Sequence, residues 1–237
     1  MNYNKKEKDV LGTMIKTFAF DEEESHSPIV LIGADTGEGK THLACTMSQV
    51  MPVALGDTEM RASIVTNKFN DSPFPIKRKT IKSYLETITF LYSAIRYFKS
   101  LEKKGCIVLD SVTEVQQFAE EYYKEIAQLE KVWPQYLWAQ IFAYCDNIIK
   151  IVKESGNMLV MTSKVKEKYV NDKPTGESTY RTYHRFPYLS DIAFMLENGK
   201  PNIRITKDGY WQNLKQEINR TLTLPEILQI VQKETHE

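Results

Sequence analysis

Two glycines, a lysine and a threonine stand close together in the sequence, in an order that suits the binding of an anion. Gly37, Gly39, Lys40 and Thr41 follow an apolar run at residues 29–32. Glycines let backbone N–H groups approach a phosphate without a Cβ in the way, and a following helix adds the positive end of its dipole. The lysine would reach the outer phosphates, and the threonine hydroxyl would bind Mg²⁺. These residues predict a site for the phosphate chain of a nucleotide.

The segments around these residues come in the order that a phosphate-binding loop, or P-loop, requires. Residues 28–33 indicate a buried strand, and residues 42–50 have helical character. The usual G-x-x-x-x-G-K-[ST] pattern begins here with alanine, which the looser form of the motif accepts. A chance glycine-rich turn is the alternative, but such a turn would not need a strand before it and a helix after it. We expect the nucleotide to be bound by the loop and the residue that follows it: Ala34, Asp35, Thr36, Gly37, Glu38, Gly39, Lys40, Thr41 and His42.

A second motif supplies a carboxylate for the metal ion. Asp110 follows the apolar run 106–109, an arrangement typical of the Walker B strand. Because ligands of α/β folds bind at the carboxyl ends of the strands, we expect Asp110 to lie near the Thr41 hydroxyl. Both residues would then serve as Mg²⁺ ligands. The alternative is that Asp110 only caps the following helix, as Ser111 also could.

Three segments together resemble a RecA/KaiC-type ATPase core: Ala34 to Thr41, Leu55 to Glu59, and Ile107 to Ser111. More narrowly, they resemble the compact phage-type RecA-like ATPases that act in single-strand annealing and recombination. This resemblance implies that Glu59 polarises the attacking water beside Lys40, since Ser111, the residue after Asp110, cannot act as a base. It further implies that Thr162 or Ser163 senses the γ-phosphate. A solvated loop carboxylate is the alternative interpretation of Glu59.

The resemblance also implies the cofactors, ATP and Mg²⁺, and the kind of assembly. A guanine-specific N-K-x-D sequence is absent, since Asn67-Lys68-Phe69-Asn70 lacks the aspartate. RecA-like proteins usually work as rings or filaments, so we expect a homo-oligomer in which one subunit supplies a cation to the next. The candidates for that trans-acting cation are Lys164, Lys166, Arg181 and Arg185, and Arg61 is the candidate within the same subunit.

Single-stranded DNA is one candidate partner. Around a predicted hairpin at about 165–186, basic residues interleave with Tyr169, Tyr180, Tyr183 and Phe186. Aromatic rings can stack on unpaired bases while lysine and arginine neutralise phosphates. Hairpins favour tyrosine for structural reasons as well, so a nucleotide-dependent switch with a protein partner, KaiC-like in logic, is the alternative. The basic cluster 77–82 and the aromatics Trp133, Tyr136, Trp138 and Phe142 are further candidates, more simply explained by a solvated helix start and by helix packing.

Apolar segments separated by helical periodicity predict an α/β fold with a mostly parallel sheet flanked by helices, and a C-terminal β-hairpin region. Residues 60–79, interrupted by Pro73 and Pro75, are expected to be irregular, and helices are predicted at about 81–104, 113–131 and 134–154. A capping-box pattern from Thr223 to Glu226 predicts the start of the last helix. We expect an N-terminal leader at 1–27 and one domain at 28–237.

Composition sets further limits. Lys+Arg and Asp+Glu each number 31, so the chain has no global basic footprint of the kind that a strong monomeric nucleic-acid binder shows. No segment approaches the roughly 20 apolar residues that span a bilayer, and the first residues lack the apolar core of a signal peptide. We therefore expect a cytoplasmic protein without membrane contact. The three cysteines lie in apolar stretches and are expected to be buried and reduced.

Overall fold

The computed structural model describes residues 27–128, 134–196, 202–208, 217–219 and 221–233. Residues 1–26 of the expected leader and Trp133 lie outside these ranges. The described strands are β1 Ile29–Ala34, β2 Val53–Asp57, β3 Ile76–Thr80, β4 Cys106–Asp110, β5 Met158–Ser163, β6 Val165–Val170, β7 Lys173–Tyr180, β8 Ile192–Leu196, β9 Asn202–Asp208 and β10 Glu217–Asn219. The described helices are α1 Lys40–Cys45, α2 Ser63–Thr66, α3 Tyr84–Ser100, α4 Val112–Ile126, α5 Gln135–Glu154, α6 Arg185–Leu189 and α7 Leu224–Lys233, with 3₁₀ turns at Thr46–Gln49 and Asn67–Phe69.

A single large sheet organises these elements, with the strand order β10-β9-β8-β1-β5-β4-β2-β3. Six neighbouring strands, from β8 to β3, run parallel. β9 and β10 extend the sheet with antiparallel pairings, while β6 and β7 form a separate antiparallel hairpin. The predicted α/β fold with a mostly parallel sheet and a C-terminal hairpin region is confirmed. The carboxyl ends of β1, β2, β4 and β5 meet at one edge, where the predicted site residues lie.

Helices cover both faces of the sheet, which explains why the central strands are continuous apolar runs. Ile29 and Leu31 of β1 pack in a core with residues of α3, α4 and α5. Val30 and Ile32, on the opposite face, pack in a second core with residues of α1 and α7. The cysteines Cys45, Cys106 and Cys145 are buried and free. None of the described helices is long and apolar enough to cross a membrane.

The structure corrects the prediction for residues 60–79. This stretch contains α2, a 3₁₀ turn and the edge strand β3, which pairs in parallel with β2. Lys77, Arg78 and Lys79 occupy the middle of β3 and are all exposed. Because an edge strand with three consecutive exposed cations shows no apolar alternation, the sequence pattern could not distinguish it from a loop.

Helix ends follow local capping rules more closely than the apolar periodicity does. α3 begins at Tyr84 because Ser83 caps it, its hydroxyl accepting a hydrogen bond from the Glu86 N–H at 3.3 Å. At α7 the Glu226 carboxylate accepts from the Thr223 N–H at 2.7 Å, which confirms the predicted capping box.

Candidate active site

The phosphate loop joins β1 to α1 through two residues with left-handed backbone. Gly37 and Gly39 have φ angles of 87° and 91°, values that only glycine adopts at little cost. The Leu43 N–H then donates to the Gly39 carbonyl at 2.9 Å and begins the helix. This loop therefore has the strand–turn–helix geometry that the sequence predicts, with glycine where the backbone demands it.

Lys40 lies inside the loop with 8% of its surface exposed. Its Nζ donates to the carbonyl oxygens of Ala34 at 3.0 Å and Asp35 at 2.8 Å. Burial lowers the pKa of Lys40, and the nearby carboxylates of Asp110 and Glu59 act in the opposite direction. The ammonium is thus held at the mouth of the loop, in reach of an anion bound there.

Asp110 is the hydrogen-bonding centre of the site. It is 7% exposed, and its two carboxylate oxygens accept hydrogen bonds from the hydroxyls of Thr41 at 2.7 Å and Thr162 at 2.5 Å. Burial raises the pKa of Asp110, while these two hydroxyl donors oppose the shift. Ser111 occupies the N-cap position of α4, so the carboxylate of Asp110 faces the loop and does not cap the helix.

Thr58 joins the ends of β2 and β4 and was not predicted as a site residue. Its N–H and its hydroxyl donate to the Asp110 carbonyl at 2.8 Å and 2.9 Å, and its Oγ1 accepts from the Ser111 N–H at 2.7 Å. Because Thr58 directly precedes Glu59, these bonds fix the backbone that carries Glu59 beside the end of β4. The adjacency of β2 and β4, which brings these residues together, is not visible in the local sequence.

Asp57, the other member of the acidic pair, has a structural role. Its side chain is fully buried and accepts hydrogen bonds from the Arg61 N–H at 3.3 Å and the Ala62 N–H at 3.0 Å. Arg78 of β3 completes its partners at 3.1 Å. Asp57 therefore shapes the turn that follows β2 and neutralises an edge-strand arginine.

Glu59 belongs to a network of charged side chains. Its carboxylate lies 3.1 Å from the Nζ of Lys164, and that same Nζ lies 2.5 Å from Glu114. The Ser111 hydroxyl donates to the other oxygen of Glu114. Since 24% of the Glu59 side chain is exposed, Glu59 is partly buried and paired with Lys164, which favours a place in the site over that of a solvated loop carboxylate. Glu114 was missed, although Ser111-x-x-Glu114 has the spacing of a capping box.

A cavity of about 260 Å³ lies over the loop. His42 is on its rim, with its ring 5.1 Å from that of Phe69. Most of the predicted nucleotide residues are brought together in this cavity. It is lined by Thr36, Gly37, Gly39, Lys40, Thr41, His42, Glu59, Arg61, Ala62, Val65 and Asp110.

The oxygen donors in this cavity fit a magnesium ion. The Thr41 hydroxyl and the Asp110 carboxylate are hard ligands in hydrogen-bond contact with each other, and Mg²⁺ prefers such oxygens and keeps several waters besides them. A dication at this point would also favour the ionised form of Asp110, whose pKa burial raises.

The hairpin that follows β5 places its aromatic residues differently from the prediction. Tyr180, Tyr183 and Phe186 are 9%, 3% and 0% exposed and belong to the core, and only Tyr169 is open to solvent, at 61%. A Cβ on Gly33 would come within 2.6 Å of the Tyr180 ring, so that glycine makes room for the tyrosine. The three buried rings cannot stack on bases.

Two of the four candidates for a trans-acting cation have partners in their own chain. Lys164 faces Glu59 and Glu114, and Arg185 is paired with Asp146 at 2.5 Å. Lys166 and Arg181 are exposed, and Arg61 lines the cavity. On α5, Trp138 and Phe142 pack against the core while Tyr136 is exposed, as expected for helix packing.

Among solved structures, the chain is similar to a KaiC-like protein from the hyperthermophilic archaeon Pyrococcus horikoshii. The two share 17% identity over 81% of this chain and 84% of that one, with a TM-score of 0.53. The six parallel strands and flanking helices agree with that likeness. The fold is RecA-like. No family model matches the sequence, and no curated protein sequence matches it.

Two longer proteins give weaker structural matches. An ATPase from the type III secretion system of pathogenic bacteria shares 19% identity over 72% of this chain, with a TM-score of 0.49. An ATP synthase subunit from Nanoarchaeum equitans shares 9% identity over 72% of this chain, with a TM-score of 0.47. The matched region is 52% of the former and 45% of the latter, so this chain spans about half of each.

Proposed function

We propose that this chain binds Mg-ATP at the phosphate loop and hydrolyses it. The observation that carries the proposal is the convergence of Lys40, Thr41, Glu59 and Asp110 on one cavity. These residues come from three separate parts of the chain, and each has the chemistry that phosphoryl transfer to water requires. The preference for ATP over GTP follows from the resemblance to RecA-like ATPases.

The roles follow from chemistry and position. Lys40 would bind the β- and γ-phosphates, and Thr41 and Asp110 would hold Mg²⁺, which neutralises phosphate charge when bound. Glu59 would accept a proton from the attacking water, the role of a general base. The Thr162 hydroxyl donates to Asp110, so its role in this chain is to orient the carboxylate that would bind Mg²⁺. Ser163 donates to the Lys164 carbonyl at 2.7 Å. It adjoins the hairpin root, which we define as Lys164 and Arg181, the residues at the base of the β6–β7 hairpin.

The site is tested by replacing Lys40 with Ala in the full chain. We expect loss of ATP binding or a fall of at least about 100-fold in turnover, because the phosphate charge would lose its principal cation. Lys150→Ala is the matched control, since Lys150 forms an exposed pair with Glu154 at 3.7 Å on α5, outside the cavity. Wild-type ATPase activity in the Lys40 variant would refute the site.

The β6–β7 hairpin is the proposed contact for a macromolecular partner. For single-stranded DNA it offers exposed Lys166, Arg181 and Tyr169. Against DNA, Lys168 is paired with Glu177 at 2.9 Å, and the other aromatic rings are buried. The paired lysine and the burial of the other rings favour the alternative function, a nucleotide-dependent switch or assembly module whose hairpin binds a protein. Action on single-stranded DNA in phage or mobile-element recombination is the competing proposal.

The ATPase rate with and without single-stranded DNA, repeated across salt concentrations, separates the two. DNA contacts release counterions, so a DNA-dependent rate must fall steeply as salt rises. The switch proposal predicts no stimulation and no shift in a DNA-binding assay. Salt-sensitive stimulation would instead establish the DNA-dependent enzyme.

Self-association into a ring or filament remains part of the proposal. Lys166 and Arg181 are the exposed candidates for a cation that completes the neighbouring site, and Arg61 is the candidate within the chain. Light scattering with a non-hydrolysable ATP analogue should detect assembly. A strict monomer with a specific ATPase rate independent of protein concentration would leave the role to Arg61.

A further inference from the structure

Lys164 connects the root of the hairpin to the candidate catalytic glutamate. It stands between the last residue of β5 and the first of β6, and its Nζ lies 3.1 Å from Glu59 and 2.5 Å from Glu114. Burial alone would lower the pKa of Lys164, but the hydrogen bonds from its ammonium to Glu114 and Glu59 outweigh that effect and raise the pKa. The side chain therefore brings a fixed positive charge to Glu59.

Glu114 holds the Lys164 ammonium near the end of β4. Its side chain is 14% exposed, and it accepts a hydrogen bond from the hydroxyl of Ser111, the residue after Asp110. One partner of Lys164 is thus tied to the end of β4, and the other is the proposed base. Because Glu59 has a flexible side chain, the shared ammonium limits where its carboxylate can lie.

The backbone of Lys164 is held as firmly as its side chain. The Lys164 carbonyl accepts from the Arg181 N–H at 2.7 Å and from the Ser163 hydroxyl at 2.7 Å. The Lys164 N–H donates to the Thr113 Oγ1 at 3.1 Å, and the Thr113 hydroxyl donates to the Arg181 carbonyl at 2.9 Å. Thr113 is buried on α4, so it ties both ends of the hairpin to the helix that follows Asp110.

We propose that Lys164 is a positioning residue that orients Glu59 for water activation, and that the hairpin root fixes Lys164, so a partner that moves the hairpin alters hydrolysis. The inference rests on the proposed ATPase function. It also assigns Lys164 a role in its own subunit, in place of the trans-acting role that the sequence suggested. Lys164 contacts the base and not the water, so its loss should affect turnover and leave nucleotide binding unchanged.

The test is Lys164→Met in the full chain, measured for kcat, KM and equilibrium ATP binding. We expect kcat to fall by about 10- to 100-fold, since misplacement of a catalytic group by roughly 1 Å can cost up to about 100-fold. KM and the affinity for ATP should stay within about two-fold of the wild type, because uniform binding is not removed. Lys164→Arg should recover at least part of kcat, since a guanidinium can pair with both carboxylates. Lys150→Met is the matched control.

The outcomes separate this inference from the function on which it rests. If the wild type does not hydrolyse ATP, or if Lys40→Ala hydrolyses it equally well, the proposed function fails. If the wild type hydrolyses ATP and Lys164→Met has the same kcat, the positioning role is overturned while the function stands. A fall in ATP affinity that accounts for the lost turnover would make Lys164 a phosphate ligand, which also overturns it.

A double-mutant cycle tests the link to the hairpin root. Thr113→Val preserves shape but removes the hydrogen bonds to Lys164 and Arg181, so we expect a lower kcat with unchanged ATP affinity. If Thr113 acts through Lys164, the double variant with Lys164→Met should be no slower than Lys164→Met alone. Thermal unfolding should show that each variant is folded. If the two substitutions lower kcat by factors that multiply in the double variant, Thr113 does not act through Lys164 and this part of the proposal is overturned.

Discussion

The carboxyl edge of the sheet and the β6–β7 hairpin contain the same kinds of side chain in opposite surroundings. At the edge, Lys40 and Asp110 are each less than one-tenth exposed, and Asp110 accepts from two hydroxyls. On the hairpin, Lys168 and Glu177 form a pair whose side chains are 47% and 55% exposed. Water screens such exposed pairs, whereas buried charges interact strongly and must be partnered.

Burial and hydrogen-bond partners, more than residue type, therefore decide which charged side chains can do chemistry. Lys164 lies between the two regions, at the end of the hairpin and in contact with Glu59. If Lys164 orients Glu59, as proposed, a change at the β6–β7 hairpin would reach the cavity through this one side chain.

Asp110→Asn should lower turnover and raise the stability of the folded protein at the same time. We expect turnover to fall by at least about 100-fold because a metal carboxylate is lost. Removing a desolvated charge should also raise the melting temperature of the metal-free protein by about 2–4 °C, the equivalent of roughly 1 kcal/mol for a domain of this size. Thermal unfolding in a chelator measures this gain. Glu154→Gln, in an exposed pair on α5, is the control.

The stability gain of Asp110→Asn should depend on pH. Burial raises the pKa of Asp110 in the folded protein, so the folded state binds a proton more readily than the unfolded state does. The wild type therefore gains stability as pH falls through the folded pKa of Asp110, and the advantage of the variant should shrink at acidic pH. An advantage that grows as pH falls would contradict the account of Asp110.

Two tyrosines of the same hairpin differ in burial, since Tyr180 is 9% exposed and Tyr169 is 61% exposed. Tyr180→Ala should lower the free energy of unfolding by about 2–4 kcal/mol, since a large buried side chain is truncated. Tyr169→Ala should change it by less than about 0.5 kcal/mol because the ring is exposed. Denaturant unfolding of both variants measures the difference. Equal, small effects would show that Tyr180 is not part of the core.

Local motifs made the buried edge predictable from sequence. The phosphate loop and Asp110 each lie at the end of an apolar strand within one continuous segment. The binding of a phosphate requires glycine, lysine and threonine at set positions after the first strand, so these residues are recognisable in the sequence. Thr58 was missed because its hydrogen bonds to Asp110 and Ser111 depend on β2 lying beside β4. That adjacency is set by the whole sheet and not by the segment.

The hairpin region was less predictable because its important contacts are distant in sequence. The alternation of the segment and the turn residues from Asn171 to Gly176 indicated a hairpin, which is confirmed, but not which rings would face the core. Tyr180 is buried because its ring packs against Gly33 of β1. Lys164 contacts Glu59 because it directly follows β5, whose carboxyl end lies at the same edge of the sheet as the end of β2. Periodicity alone reports neither fact.

If the phosphate loop and Glu59 form a site for ATP hydrolysis, Glu59→Gln should separate nucleotide binding from turnover. ATP binding at equilibrium and the steady-state ATPase rate should be measured on the same preparation. The account predicts ATP affinity close to that of the wild type and a turnover lower by about 10²- to 10⁴-fold, the usual contribution of a general base. A Glu59→Gln variant that hydrolyses ATP at the wild-type rate would contradict it.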